Sequence, residues 1–164
     1  MNKTIELTKI LNLADMNDAV ISTNEKPIVG TQALAYCVGL LLYNEKEKKA
    51  IVAHITTDIV LALEKTFQLI VENQLHNSTI KYLIIDGFDT NNFKTRKAIQ
   101  EVLNDIPDLF IPFSKEEISK NAIQKNKEFD AMEFAFDSRT GKFVTSNVLF
   151  GSDYIEANKK EHQK

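Results

Sequence analysis

Two short apolar runs on either side of a charged segment constrain the fold of this chain more than any other feature. Residues 37–43 read CVGLLLY, residues 44–49 read NEKEKK and residues 51–55 read IVAHI. Because the first run is apolar without alternation, it predicts a strand that is covered on both faces. The short charged connection favours a turn and antiparallel pairing with the second run. The pattern therefore predicts a buried hairpin.

This hairpin carries the only cysteine of the chain, Cys37, together with His54. A thiol beside an imidazole provides a nucleophile and a base, the two groups that nucleophilic acyl chemistry requires at minimum. Each residue also has a purely structural interpretation, because a lone cysteine in an apolar strand is usually a small buried hydrophobe. A lone histidine in such a run is usually a hydrogen-bonded core residue, and Thr31 is an ordinary β-former. From these residue types alone, both interpretations stay open.

Length and composition predict one domain. The chain has 164 residues, of which 43% are hydrophobic and 26% are charged, with a formal net charge of -3. A chain of that length can form one well-packed hydrophobic core, but it is too short for two domains that each have one. We therefore expect a single domain over residues 1–164, with its core at roughly 12–150 and a polar tail at 152–164. The negative net charge argues against nucleic acid as a partner.

The start of the chain and its apolar runs bear on location. The first residues, MNKTIELTKILNL, lack a basic region followed by a continuous apolar stretch, so no signal peptide is expected. The apolar runs are far shorter than a membrane span. With one cysteine, neither an intramolecular disulfide nor a cysteine-based metal cluster can form. We expect a soluble monomer, either cytoplasmic or secreted into a host cell without a cleavable signal peptide, as a bacterial effector would be.

Other segments predict three helices, several strands and one hairpin. Amphipathic periodicity favours helices over residues 58–73 and 93–103, and the polar segment 115–127 is also predicted to be helical. Residues 1–14 suit either a strand or a short helix. Strands are predicted at 27–31, at 81–85, at 109–113 as an edge strand with Pro112 inside it, and at 132–137 and 142–148 around a Gly-containing turn. Together these segments predict an α+β domain.

The set of Thr31, Cys37 and His54, taken with its flanking sequence, resembles the chemoreceptor glutamine deamidase (CheD) family. TQALAYCVGLLLYN at 31–44, followed by IVAH at 51–54, matches that family's threonine, cysteine-ending turn, strand, charged loop and Ala-His strand end. The similarity is colinear over roughly residues 12–148. It includes DMNDAVIS at 15–22, KYLIIDGF at 81–88, LFIPF at 109–113 and MEFAFDSRTGKFVT at 132–145.

The resemblance implies a fold, an activity and three residue roles. The fold would be a β-sandwich core of mixed and antiparallel strands flanked by helices, as in the catalytic domain of cytotoxic necrotizing factor toxins. The activity would be hydrolysis of a glutamine side-chain amide in a protein substrate, without metal or organic cofactor. Cys37 would be the nucleophile, His54 would lower the pKa of its thiol by ion pairing and then protonate the departing ammonia, and Thr31 would orient the imidazole.

The segment before the cysteine departs from the family pattern. The family typically reads Gly-Leu-Gly-Ser-Cys, whereas this chain reads Ala33-Leu34-Ala35-Tyr36-Cys37. Ala35 and Tyr36 would then form the oxyanion turn and a wall of an altered substrate pocket. Two alternatives follow: a catalytically inactive domain of the same fold that binds a protein partner, and a thiol hydrolase or transglutaminase that acts on another amide.

Overall fold

Ten strands form two five-stranded sheets in the computed structural model of the protein, which describes residues 9–89, 91–126 and 128–145. The strands are β1 (Leu11–Ala14), β2 (Ala19–Ile21), β3 (Ile28–Leu34), β4 (Val38–Asn44), β5 (Lys49–Ile55), β6 (Ile80–Asp86), β7 (Phe110–Pro112), β8 (Gln124–Lys125), β9 (Met132–Asp137) and β10 (Lys142–Phe143). Two α-helices lie within the same residues, α1 (Ile59–Glu72) and α2 (Phe93–Asn104). The predicted α+β class is confirmed.

The predicted buried hairpin forms the middle of one sheet. We call this sheet the second sheet, and its strand order is β2-β5-β4-β6-β7. Within it, β4 pairs antiparallel with β5, from Val38 opposite Ile55 to Asn44 opposite Lys49. All seven residues of β4 are buried. The prediction of a strand covered on both faces is confirmed, because β4 lies between two strands and has packed layers on both faces.

The first sheet packs against the inner face of the second. It has the order β1-β3-β9-β10, with β8 added beside β9. Side chains from both sheets share one apolar cluster, which includes Val29, Leu41, Tyr43, Phe134 and Phe136. The two sheets therefore form the two layers of a sandwich, and their inner faces meet at this cluster.

The helices cover the other face of the second sheet. Leu63 and Ile70 of α1, with Ile99 and Leu103 of α2, pack on Val38, Leu40 and Leu42 in a second cluster. Both predicted helices are confirmed within one or two residues at their ends. At the start of α1, the Asp58 side chain makes no capping hydrogen bond.

The C-terminal half contains one wrong prediction. Residues 115–126 do not form the predicted α-helix: a single 3-10 turn at Lys115–Glu117 is followed by the short strand β8. Residue 127, the last of the predicted helix, lies outside the described residues. The polar residues here lack an apolar stripe that could hold a helix against the core. Within the described ranges the edge strand is confirmed, since β7 contains Pro112 and pairs there only with β6. The final hairpin also forms, with Gly141 at φ +70° in its turn, but its second strand, β10, ends at Phe143.

The described part of residues 1–14 contains both predicted alternatives, because residues 9 and 10 are helical and β1 follows at Leu11–Ala14. β1 pairs parallel with β3, with Ala14 opposite Thr31. Residues 1–8, the end of the predicted strand at 142–148 and the predicted tail at 152–164 lie outside the described residues. No helix among the described residues is both long and apolar enough to cross a lipid bilayer.

Candidate functional site

Thr31 and His54 are joined by a direct hydrogen bond between the two sheets. Thr31 lies on β3 of the first sheet and His54 on β5 of the second, and Thr31 Oγ1 is 2.8 Å from His54 Nδ1. Both residues are buried, with exposed fractions of 0% and 3%. The same hydroxyl lies 2.8 Å from the carbonyl oxygen of Ala14, its neighbour on β1. The two sheets therefore bring together residues that are 23 positions apart.

The direction of these two hydrogen bonds fixes the histidine tautomer. A threonine hydroxyl has one proton to donate, and the Ala14 carbonyl can only accept. The hydroxyl therefore donates to Ala14 and accepts from Nδ1–H of His54. In the neutral imidazole this leaves the lone pair on Nε2. That Nε2 is buried and has no hydrogen-bond partner in the described part of the chain.

Burial keeps the imidazole neutral at physiological pH. Desolvation lowers the pKa of His54 from 6.5 to about 4, although the negative charge of Asp15 acts in the opposite direction. The backbone of His54 is fixed on both sides of β5: it lies opposite Gly39 of β4, its N–H donates to Asp18 O, and its carbonyl accepts from Asn17 N–H. The ring is therefore a positioned, neutral base.

Cys37 lies directly before β4, on the same inner face as His54. Gly39 is opposite His54, and Cys37 is two residues before Gly39, so its side chain occupies a diagonal position on that face. Cys37 belongs to the apolar cluster between the sheets, and its exposed fraction is 8%. The His54 Nε2 makes no hydrogen bond to the thiol, and a β-carbon added at Gly39 would contact the side chains of Phe134 and Leu34.

The electrostatics of the pair differ from the sequence prediction. An ion pair requires a lowered thiol pKa, but burial raises the pKa of Cys37 above its ordinary value of 9.0. With the pKa of His54 lowered at the same time, both groups are neutral at pH 7. The physical reason is that the apolar cluster between the sheets disfavours either charge. The resting state is thus a thiol and an imidazole.

The turn before Cys37 has an unusual backbone. Pairing between β3 and β9 shifts register between Thr31 and Leu34, and Ala33 within that bulge has φ 61°. This left-handed conformation favours glycine, and a β-carbon there costs on the order of 1 kcal/mol. Of the two alanines in the turn, Ala33 thus has a positive φ, whereas Ala35 does not.

The end of β6 braces this turn. A β-carbon added at Gly87 would lie 2.5 Å from the carbonyl oxygens of both Ala35 and Cys37. The next two amides hold the same turn, since Phe88 N–H donates to Leu34 O and Asp89 N–H donates to Ala35 O, each at 2.9 Å. These carbonyls therefore face the 87–89 segment.

Two amide groups of the turn are available as donors. Outside the strand ladders of the described residues, neither Tyr36 N–H nor Cys37 N–H donates to a protein acceptor. On the solvent side, Ala35 and Tyr36 line an open cavity of about 380 Å³, together with Phe88, Asp89 and Asp130. The Tyr36 side chain is 73% exposed. The residues predicted for the oxyanion turn thus line a cavity to which neither Cys37 nor His54 contributes.

Two contributors to the site were missed from the sequence. The Ala14 carbonyl could not be found, because a backbone acceptor leaves no mark on residue type. Gly87 was read only as a turn residue, and its close approach to the Cys37 carbonyl became visible only in three dimensions. No group of three or more His, Cys, Asp or Glu side chains that could hold a metal ion occurs within the described ranges.

Comparison with known proteins adds no assignment. No protein-family model matches the chain, and no curated protein matches it in sequence.

Proposed function

We propose that the protein is a cysteine-dependent protein-glutamine deamidase that hydrolyses a glutamine side chain to glutamate and ammonia. The observation that carries the proposal is the 2.8 Å hydrogen bond from His54 Nδ1–H to Thr31 Oγ1. It leaves the Nε2 lone pair on the inner face that also carries Cys37. The resemblance to the CheD family supports the choice of a glutamine amide and of a protein substrate.

The proposed reaction begins with a neutral pair. As Cys37 Sγ attacks the carboxamide carbon, His54 Nε2 takes the thiol proton, and the carbonyl oxygen becomes an oxyanion. The N–H groups of Tyr36 and Cys37 are the nearest candidates to stabilise that oxyanion. His54 then gives the proton to the departing nitrogen, ammonia leaves, and a thioester remains.

Hydrolysis of the thioester reverses the roles. His54 Nε2 takes a proton from water as the water attacks the thioester carbon, and the proton returns to the Cys37 sulfur as the C–S bond breaks. Thr31 holds the imidazole in one tautomer through both steps, because its hydroxyl can accept from Nδ1 only while it donates to Ala14. The products are a glutamate side chain and the free thiol.

The test is the pH dependence of Cys37 labelling by a peptidyl glutamine chloromethyl ketone, in which the thiol displaces chloride. Base assistance by His54 predicts a rate that is nearly constant from about pH 5 to 8, because the base is already deprotonated above a pKa of about 4. In His54→Ala the rate should instead rise about tenfold per pH unit, as the free thiolate fraction does. A wild-type rate that follows the thiolate fraction would refute the proposal.

Product analysis completes the test. The labelled sample identifies Cys37 by mass spectrometry, and incubation of wild type with casein measures ammonia release against Cys37→Ala. Incorporation of an added amine in place of ammonia loss to water would indicate a transglutaminase.

One observation favours a second candidate, a catalytically inactive domain that binds a protein partner. The Cys37 side chain is only 8% exposed, and its pKa is raised instead of lowered. An inactive domain predicts slow labelling that His54→Ala leaves unchanged. The substrate of the active enzyme would be an unidentified protein, in the cell itself or in a host cell.

A further inference from the structure

Three exposed aromatic side chains surround the turn that precedes Cys37. Tyr36, Phe88 and Phe129 are 73%, 44% and 57% exposed. Tyr36 and Phe88 line the cavity of about 380 Å³, and Phe129 lines a neighbouring cavity of about 170 Å³ together with Ala33. Exposed aromatic groups that adjoin two cavities are typical of a binding surface.

The backbone holds Phe88 at the surface. The hydrogen bonds from Phe88 N–H to Leu34 O and from Asp89 N–H to Ala35 O fix the segment that carries the ring. Phe110 and Phe113, by contrast, are buried in the core. Phe93, the first residue of α2, is also 65% exposed, so aromatic exposure is not confined to this surface. Tyr36, Phe88 and Phe129 share a further property, because they line the two cavities beside the turn.

Acidic groups give this surface its charge. Asp89 and Asp130 line the larger cavity, and Glu128 is exposed on the same loop as Asp130. Among the described residues, Lys125 is the cation that contacts the surface, with its Nζ 3.4 Å from Asp130 Oδ1. Of these four side chains, three are carboxylates and one is an ammonium, so their sum is negative.

The contacts of Lys125 show how the surface accommodates a cation. Its Nζ lies 5.6 Å from the centroid of the Phe88 ring, beside the Asp130 carboxylate. It also donates to the carbonyl oxygens of Asn126 and Phe129 at 3.2 and 3.4 Å. An aromatic face and a carboxylate are the two groups that attract Lys and Arg side chains most strongly.

We propose that this acidic aromatic surface, formed by Tyr36, Phe88, Asp89, Phe129 and Asp130, binds a basic segment of a protein substrate. The target glutamine would have a lysine or arginine as a close neighbour, whose cation contacts Asp89 and Asp130 while its aliphatic stem packs on Tyr36 or Phe88. This inference rests on the proposed deamidase function, since it specifies the substrate of that site.

The binding test uses NMR titration of ¹⁵N-labelled Cys37→Ala protein, in which no turnover occurs. The probes are two nine-residue peptides that differ only next to a central glutamine, with lysine on both sides in one and glutamate on both sides in the other. We expect the lysine peptide to bind at least about fivefold more tightly at low salt, and to shift the amide signals of Tyr36, Phe88 and Asp89.

Variants identify the charges responsible. In Asp89→Asn/Asp130→Asn the preference for the lysine peptide should disappear, whereas the matched control Asp105→Asn/Asp108→Asn, at exposed positions in the turn after α2, should retain it. Asparagine at 89 keeps an oxygen that can accept the N–H of Asn91, as Asp89 does now. Equal affinity for both peptides, no shifts at the surface, or an unchanged preference in the double variant would overturn the inference.

Wild-type protein separates this inference from the proposed function. If the lysine peptide binds at the surface and no ammonia is released from it, the surface assignment stands and the deamidase proposal fails. If both peptides release ammonia at equal rates, the deamidase proposal stands and the preference for a basic segment is refuted.

Discussion

At the scale of single residues, Thr31 connects three strands through one hydroxyl group. It accepts from the imidazole on β5 and donates to the carbonyl of Ala14 on β1, while its own backbone lies in β3. A buried donor or acceptor that loses its partner is destabilised by about 1–3 kcal/mol. This residue therefore contributes to stability as well as to the orientation of His54.

We predict opposite results for two substitutions at Thr31. Thr31→Val keeps the shape but leaves His54 Nδ1 without its partner and removes the hydroxyl that donates to Ala14 O, so stability should fall by about 1–3 kcal/mol in urea unfolding. The imidazole should also lose its single tautomer, which ¹⁵N NMR of the ring measures directly, and base-assisted labelling of Cys37 should slow. Thr31→Ser should restore the tautomer and the labelling rate. If Thr31→Val retained the wild-type tautomer and rate, Thr31 would not be a positioning residue.

At the scale of elements, the end of β6 determines the path of the turn before Cys37. A β-carbon added at Gly87 would lie within 2.9 Å of three carbonyl oxygens, those of Leu34, Ala35 and Cys37. Since real β-carbons do not approach backbone oxygens so closely, the turn and the β6 end can keep this arrangement only with glycine at 87.

We predict that Gly87→Ala displaces Cys37, the proposed nucleophile, in addition to destabilising the fold. Labelling of Cys37 by the glutamine chloromethyl ketone should slow at least about tenfold. The free energy of unfolding should fall by about 1–3 kcal/mol. Leu103→Ala, which leaves a cavity beneath α2 and far along the chain from the turn, is the control for stability loss. If both variants slowed labelling equally, the effect of Gly87 would be ascribed to stability alone.

Sequence prediction succeeded for elements with a strong period and failed for those without one. The hairpin β4–β5 and the helices α1 and α2 have long apolar patterns, and all three formed. Residues 115–127 have no such pattern, and there the pairing of β8 with β9 determined the conformation instead of local preference. Strand addition to an existing sheet is a long-range event, which a local window of sequence does not contain.

At the scale of the whole molecule, two buried groups have opposite effects on the pH dependence of stability. The pKa of His54 is lowered from 6.5 to about 4, so the unfolded chain binds more protons in that range and stability is lost as pH falls through it. Burial raises the pKa of Glu133 from 4.5 to about 7, despite the opposing hydrogen bond from Asn126. The folded chain then binds more protons, and stability is lost as pH rises.

We predict that these two contributions nearly cancel between about pH 4.5 and 6.5, and that single variants reveal each of them. With His54→Gln, stability relative to wild type should decline by roughly 3 kcal/mol as pH rises from about 4.5 to 7, because only Glu133 still titrates. With Glu133→Gln, stability relative to wild type should instead increase by a similar amount between about pH 4.5 and 7. Urea unfolding at half-unit pH steps measures both curves. Curves parallel to that of wild type would contradict the two shifts.

By itself, the sequence determined the α+β class, the buried hairpin with Cys37 and His54 on it, both helices and the edge position of β7. These follow from apolar periodicity and from short connections, which are local properties of the chain. Only the tertiary structure decided that Thr31 contacts His54, that Ala14 O completes the hydrogen-bond chain, and that thiol and imidazole are both neutral. The physical reason is that hydrogen bonds between sheets and desolvation depend on residues far apart in sequence, and they act only once the two sheets have packed.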